Sequence, residues 1–469
     1  MDILPIAILI VFIVTYAIIS SERVDRTGMS LLGMALVGVV FWIAHLLIPD
    51  VEVDFLNLVE HIEWDTILFV TAMMIIVAVA GGSGMFQYLA LRLARPSGGV
   101  YKSLYTIFLL FVFVISLVVD NVSILLIMAP LTIQVCRALG MDFKPLLISE
   151  AIVANLGSIP SIVGAVTNIV IVKETGLDAG LLFIVFMPLS FILFTVTWIV
   201  LTHYFADSFV VSDRERVDLL FQIEPTTMIK SRSDFYASVI AFAILILGFA
   251  LSASLELSIS MLALLVAAAL LVLAHDRATK FLSEVGWDTI FFLVGLFGLV
   301  GALDLTGWID LLGDGLGAIV GDNAIIALAF MIWIPAILAA FLDNLPVSLV
   351  LAPIALRFTT VSPMLTYALI FAVNVGGNIL TPLGSASNMV AIAYSEREHD
   401  PISFADFAKA GTFAGMFHLT LGTIWVLSIE YIGIIPVVLA GIVIGVILFL
   451  VFIFPVFRNP TSNPRTSSG

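Results

Sequence analysis

Two short stretches place carboxylates where an apolar chain should have none. Asp120-Asn121-Val122-Ser123 and Asp343-Asn344-Leu345-Pro346 each join two apolar half-spans of about 16 residues. A carboxylate inside a membrane span costs about 2.5–3.5 kcal/mol on insertion scales, so it is expected to be capped, paired or functional. Asp and Asn both cap helix N-termini, and capping alone would explain a single tip. Two matching Asp-Asn tips in different halves favour a shared role: binding a small cation, or exchanging one for a proton.

A second pair of motifs lies downstream of each tip. Gly157-Ser158-Ile159-Pro160-Ser161-Ile162-Val163-Gly164-Ala165-Val166-Thr167-Asn168 is matched by Gly377-Asn378-Ile379-Leu380-Thr381-Pro382-Leu383-Gly384-Ser385-Ala386-Ser387-Asn388. Both are too rich in Gly, Pro, Ser and Asn to stay helical, and both sit inside long apolar runs. An unwound helix offers free carbonyls to a cation, and its half-helix N-terminus favours an anion. Close packing through small residues accounts for Gly and Ser. It does not account for Pro160, Pro382 or the paired Asn168 and Asn388.

The candidate ion-binding residues are therefore Asp120, Asn121, Ser123, Gly157, Ser161, Gly164, Thr167 and Asn168 in the first half. The second half supplies Asp343, Asn344, Gly377, Asn378, Thr381, Gly384, Ser385, Ser387 and Asn388. A monovalent cation is expected between each tip and its facing break. Asn121, Ser123, Ser161 and Asn168 would hold one, and Asn344, Thr381, Ser387 and Asn388 the other. For sodium, the amide ligands are Asn121, Asn168, Asn344 and Asn388. No cofactor is expected beyond this coupling ion, sodium or proton, and no catalytic residue. Glu150 could carry a proton or sit at the interface. His418 is expected in an interhelical hydrogen bond, since its approximate repeat partner is Trp198. The six histidines lack metal-ligand spacing.

Composition dictates what positions these residues. Of 469 residues, 61% are hydrophobic and 11% charged, with a mean hydropathy of +1.20. A soluble domain carries about 25% charged residues. The reading is an all-α polytopic membrane protein. The single cysteine, Cys136, excludes a disulfide framework. A net charge of −15 argues against nucleic acid. Apolar runs fall near 3–20, 28–48, 65–91, 103–119, 121–136, 145–172 and 180–206, then near 235–253, 257–274, 287–312, 323–342, 344–358, 362–394, 404–429 and 432–456. The first has no basic region before it and no small-residue cleavage site after it, so it reads as a retained helix. The tail from Arg458 reads as disordered.

The halves repeat each other at a constant offset. Trp64-Asp65-Thr66-Ile67 reappears as Trp287-Asp288-Thr289-Ile290, and Asp120-Asn121 and Pro130 reappear as Asp343-Asn344 and Pro353. Further on a small deletion shortens the offset, which then carries Gly157 to Gly377 and Asn168 to Asn388. If 103–136 and 323–358 are re-entrant hairpins, each half has five crossings and the repeats are inverted. With the N-terminus outside and the C-terminus cytoplasmic, 17 of 19 basic residues become cytoplasmic, Lys173 and Arg357 excepted. The outer loop carries Asp50, Glu52, Asp54, Glu60 and Glu63. The expectation is about eleven transmembrane helices plus two re-entrant hairpins. Residues 1–206 form the first repeat, 207–233 a cytoplasmic linker, 234–430 the second repeat and 431–469 an extra helix and tail.

This arrangement resembles the ion transporter superfamily, specifically its branch of arsenite efflux permeases, sodium/proton antiporters and the P protein, with a citrate-transporter-like domain. The residues carrying the resemblance are Asp120-Asn121-Val122-Ser123, Asn155 to Asn168, Leu342-Asp343-Asn344-Leu345-Pro346 and Gly376 to Asn388. The resemblance implies a secondary transporter of small inorganic or organic ions in the plasma membrane, coupled to sodium or protons, with tips and breaks building the site. Many members carry a double proline before the Asn of the first break, where this chain has Val166-Thr167. Dicarboxylate transporters usually carry Ser-Asn-Thr tips, and Asp120 and Asp343 would repel a dicarboxylate. The expected partners are the lipid bilayer, a small ion and a second copy of the chain as a homodimer. An arsenite permease would add an ATPase subunit. A channel and a dicarboxylate or citrate transporter are the alternatives. An intramembrane aspartyl protease is disfavoured, because neither Val119-Asp120 nor Leu342-Asp343 fits its Tyr-Asp and Gly-x-Gly-Asp pattern.

Overall fold

The computed structural model describes residues 3–20, 23–47, 53–255 and 257–458. The expectations for Asp50, Glu52 and the tail beyond Arg458 lie outside these residues. Ten helices make up the first half: α1 (Ile3–Ser20), α2 (Arg26–Leu47), α3 (Phe55–Glu60), α4 (Trp64–Gly82), α5 (Met85–Ala94), α6 (Tyr101–Ile115), α7 (Asn121–Ala138), α8 (Lys144–Ser158), α9 (Val166–Thr175) and α10 (Ala179–Tyr204). A short α11 (Arg214–Gln222) lies in the polar stretch. The second half holds α12 (Arg232–Leu255), α13 (Ile259–Ala274), α14 (Ala278–Ser283), α15 (Trp287–Leu305) and α16 (Trp308–Val320). It continues with α17 (Ala324–Phe341), α18 (Asn344–Arg357), α19 (Met364–Gly376), α20 (Ala386–Arg397) and α21 (Phe404–Ile432). The last two helices are α22 (Ile434–Leu448) and α23 (Phe454–Arg458).

Among the described residues, nine helices are long and apolar enough to cross a membrane, and four shorter apolar helices accompany them. Large apolar side chains such as Trp42, Leu247, Val272 and Ile435 stand exposed on the outside, as a lipid-facing surface requires. The protein is an all-α integral membrane protein.

The spacing of the repeat is written into the helix starts. Helices α3 to α7 begin at Phe55, Trp64, Met85, Tyr101 and Asn121. Helices α14 to α18 keep the same intervals, beginning at Ala278, Trp287, Trp308, Ala324 and Asn344. The interval from Lys144 of α8 to Val166 of α9 likewise equals that from Met364 of α19 to Ala386 of α20. Packing partners match as well. Helix α6 lies on α8 as α17 lies on α19, and α2 lies on α15 as α13 lies on α4. The halves also exchange arms, with α7 against α20 and α18 against α9.

Two expected single spans are bent instead. Runs 65–91 and 287–312 break at Gly84 and Gly307, with φ of +87° and +76°. A left-handed residue ends an α-helix, and glycine takes that conformation without steric cost. The two glycines occupy equivalent places, each just before α5 or α16, so the bend belongs to the repeat. Short helices α3 and α14, also absent from the sequence reading, are too brief to give a periodic signal. The expected breaks in 145–172 and 362–394 are observed, between Ser158 and Val166 and between Gly376 and Ala386.

Candidate functional site

Each tip is clamped to the break that follows it, and one hydroxyl-to-carbonyl bond recurs in both halves. Ser161 Oγ donates to the Leu117 carbonyl at 2.6 Å, and Thr381 Oγ1 donates to the Ala340 carbonyl at 2.5 Å. The Asn121 N–H donates to the Gly164 carbonyl at 3.1 Å. Backbone approaches so closely that a Cβ on Gly164 would lie 2.5 Å from the Ser116 oxygen, and one on Gly384 would overlap the Ala339 oxygen. Non-helical backbone at membrane depth is thereby buried in protein, the condition for tolerating it.

The two aspartates do different things. Asp120 is the N-cap of α7, and its Oδ1 accepts from the N–H groups of Val122 at 3.2 Å and Ser123 at 3.0 Å. Asp343 caps α18 through one bond, from the Leu345 N–H at 3.1 Å. Its Oδ2 lies 3.7 Å from the Arg26 guanidinium of α2. The same guanidinium stands 3.9 Å from Asp288 of α15 and 5.3 Å over the Phe292 ring.

Between the breaks lies a buried knot of amides and hydroxyls. Asn155 of α8 donates to Asn378 Oδ1 at 2.8 Å, and its own Oδ1 accepts from Asn121 at 2.5 Å and from Ser385 at 3.2 Å. Ser385 and Ser387 pair at 2.9 Å. On the other side, Ser158 donates to Asn374 Oδ1 at 3.0 Å, and Asn374 donates to Asn168 Oδ1 at 2.7 Å. Asn168 and Asn388 turn their NH₂ groups onto the carbonyls of their own breaks. Asn168 reaches Ser158 and Ser161 at 2.8 Å each, and Asn388 reaches Gly377 at 2.7 Å. Asn155, Ser158, Asn168, Asn374, Asn378, Ser387 and Asn388 are all fully buried. Satisfied networks of this kind rigidify a core, because leaving any member unpaired is costly.

A cavity of about 850 Å³ opens beside the second tip, and its lining includes Asp343, Ser123, Arg26, Tyr16, Asp288 and Met389. It runs between the α1, α2 and α15 side and the α7 and α20 side. Its lining also includes the exposed Val24, Asp25 and Glu284.

The predicted residues therefore divide into groups. Asp343 and Ser123 line the cavity. Asn121, Asn168, Asn378, Ser385, Ser387 and Asn388 belong to the knot. Ser161, Thr381, Gly164 and Gly384 hold tip to break, with Gly157 and Gly377 beside them. Asn344 is buried at the start of α18, and Thr167 is buried with its hydroxyl unpartnered. Asp120 is a cap and lies off the cavity lining. Asn374 and Arg26 lie outside the candidate residues read from sequence, and Asn155 and Ser158 fall in stretches quoted there without a ligand role of their own. For the first and third, an asparagine on an otherwise apolar helix is the signal that could have found them. Glu150 is fully buried and accepts from Thr132 at 2.7 Å. His418 pairs with Thr197 of α10 at 2.7 Å, an interhelical bond as expected. Among the described residues no group of three His, Cys, Asp or Glu side chains is placed to hold a metal ion.

Known proteins resemble the chain over most of its length. The chain is 29% identical over 421 residues to a 46 kDa membrane protein of Mycobacterium leprae, covering 88% of this chain and 96% of that one. It is 25% identical over 495 residues to the human P protein, covering 88% of this chain and 58% of that protein. The crystal structure of the Alcanivorax borkumensis YdaH transporter superposes with a TM-score of 0.59 at 13% identity, over 87% of this chain and 99% of that one. That likeness is one of fold. The citrate transporter family profile matches residues 16–363, a stretch that takes in both tips, the first break, Arg26 and most of the cavity wall. On that match the chain belongs to the citrate transporter family, and it is a membrane transporter.

Proposed function

We propose that the protein is a secondary active transporter of small inorganic or organic ions, working by alternating access and coupled to sodium or protons. The observation that supports this best is a difference between the halves, which we read as one-sided access. A cavity reaches Asp343 from the side of Asp25 and Glu284, while on the other side Lys173 of α9 is ion-paired with Asp65 of α4. A binding site open to one side and shut to the other is what an exchanger needs and a channel lacks. With the N-terminus outside and the C-terminus cytoplasmic, the cavity mouth is cytoplasmic and this state faces inward.

In this reading the helical hairpins α6–α7 and α17–α18 are re-entrant, and residues 1–206 and 234–430 are inverted repeats joined by the 207–233 linker. Ions bind where tips meet breaks. Asn121, Ser123, Ser161 and Asn168 serve the first site, and Asn344, Thr381, Ser387 and Asn388 the second. Asn168 and Asn388 turn their N–H groups onto backbone carbonyls, which supports a role for amide and hydroxyl oxygens in facing a cation. The carboxylates at both tips disfavour a dicarboxylate substrate, so arsenite or anion efflux and sodium/proton exchange are preferred. The plasma membrane is the proposed location, and a homodimer the proposed assembly.

The test is flux into proteoliposomes across a pH series, with and without sodium, offering sodium, protons, arsenite and citrate in turn. Saturable flux that depends on a counter-ion is expected. Flux indifferent to both cations would reject coupling, and unsaturable flux would favour a channel.

A further inference from the structure

The repeat makes the two tips equivalent in sequence, yet their surroundings differ in one respect that neither half explains alone. Asp120 uses one oxygen to cap two backbone N–H groups and lies off the cavity. Asp343 caps one and turns its other oxygen into the cavity, where 24% of its side chain is exposed. The cation nearest it is Arg26. The helix that packs on α4 as α2 packs on α15 is α13, and its start carries Ile259 and Ser260, so the related place holds no second such arginine.

Arg26 is held loosely. It stands 3.7 Å from Asp343 and 3.9 Å from Asp288, outside hydrogen-bond reach of both, with its side chain 38% exposed. A guanidinium seated for structure would make a bidentate pair with one carboxylate. Tyr16 of α1 lines the same cavity, and its hydroxyl is buried with no hydrogen-bond partner. The charged and titratable groups around Asp343 are thus Arg26 from α2, Tyr16 from α1, and Asp288 from α15 behind the arginine. Asp25 and Glu284, both exposed, line the cavity further out.

We propose that Arg26 is a tethered counter-ion that occupies the charge of Asp343 when no coupling cation is bound and swings to Asp288 when one arrives. This rests on the cation-coupled reading above and deepens it: the exchangeable carboxylate is Asp343, while Asp120 stays a fixed cap. Arg26 acts as a positioning residue. It sets how tightly the cation is held, because sodium or a proton must compete with a positive charge already in place. The competition keeps an empty site neutral as it crosses the membrane, where an unpaired carboxylate would be costly.

The experiment reads cation occupancy without transport. A cysteine replaces Ala393, which lines the cavity on α20, in a Cys136→Ser background of the full chain. Its maleimide labelling rate is followed in detergent against sodium concentration and, separately, against pH. Arg26→Gln removes the competitor, so the labelling midpoint should move to about tenfold lower sodium, or about one pH unit higher if the proton is the ligand, equivalent to about 1.4 kcal/mol. Arg26→Lys keeps the charge and should leave the midpoint near wild type. Asp288→Asn removes the alternative berth and should move the midpoint the opposite way, so the inference stays testable even if one variant fails to fold. An unchanged midpoint in both Arg26→Gln and Asp288→Asn overturns the counter-ion role while leaving coupling intact. A wild-type protein that responds to neither cation overturns the coupled reading, and this inference with it.

Discussion

Lys173 at the end of α9 is ion-paired with Asp65 at the start of α4, whereas the residues at the repeat-related positions, Ala393 and Asp288, both line the open cavity. The same two places in the fold are therefore joined by an ion pair in one half and line a cavity in the other. Sequence contributes to that asymmetry, because the second half has no lysine to match Lys173. Ser260 of α13 also donates to Asp65, which ties a third helix to the closed side.

Breaking this pair should favour opening of the closed side. Both side chains are partly exposed, at 33% and 40%, so the pair is worth at most about 1 kcal/mol, or about a fivefold shift in population. Lys173→Ala and Asp65→Asn should each speed labelling, from outside sealed cells, of a cysteine placed at Thr175. The charge-swapped double variant Lys173→Asp with Asp65→Lys should bring the rate back down. If the swap behaves like the single variants, the pair is not the latch.

Close backbone contact at the breaks makes a second prediction. Gly164→Ala pushes a methyl to 2.5 Å from the Ser116 oxygen, and Gly384→Ala overlaps the Ala339 oxygen. Each should destabilise the protein by about 1–3 kcal/mol, the usual cost of overpacking. Gly315→Ala is the control, since nothing lies within 4 Å of a Cβ there. A helical glycine replaced by alanine should be neutral or stabilising by about 0.5–1 kcal/mol. Thermal unfolding in detergent measures all three.

The amide knot can be probed by a double-mutant cycle. Asn155→Ala takes the partner of the Asn121 amide and of Asn378 Oδ1 away in a buried core, and should cost about 1–3 kcal/mol. Asn378→Ala should cost a similar amount. The double variant should cost much less than the sum, because each change removes the group the other leaves unpaired. Additive losses would mean that the two amides do not interact.

Membrane orientation is open to direct test. With the N-terminus outside, a cysteine at Ser212, in the polar stretch after α10, should be unreactive to an impermeant reagent in sealed cells and reactive in inverted vesicles. Cys136 is buried and should be replaced first for a clean background. Labelling from outside would invert the assignment of the cavity mouth.

Much of the fold was readable because membrane spans are long, apolar and punctuated by residues with few other uses. The starts of α7 and α18 fall on the Asn of each Asp-Asn tip, since a capping residue has to stand at a helix start. Gly164 and Gly384 stood out because Gly and Pro are conspicuous inside apolar runs. Partners distant in sequence were not readable. Arg26 looked like one more loop arginine on the cytoplasmic side, and only the packing of α2 against α15 brings it to Asp343. Asn374 has no polar neighbour within its own apolar stretch of α19, and its partners lie 206 and 216 residues away on α9 and α8. The cavity likewise belongs to helices from both halves, and a linear pattern does not show which faces meet.

The amide knot also sets a timetable for making the protein. Asn155 leaves the ribosome 223 residues ahead of Asn378, and at about 5–20 residues per second that is a wait of roughly 10–45 s. Through that interval α8 sits in lipid or translocon without the bonds that Asn155 and Ser158 later make to Asn378 and Asn374, a costly state in hydrocarbon. A chain stalled or truncated after α10 would carry the same unmatched amides permanently. Membrane quality control would thus have a marker for incomplete copies, one erased only when α19 and α20 dock and close the knot.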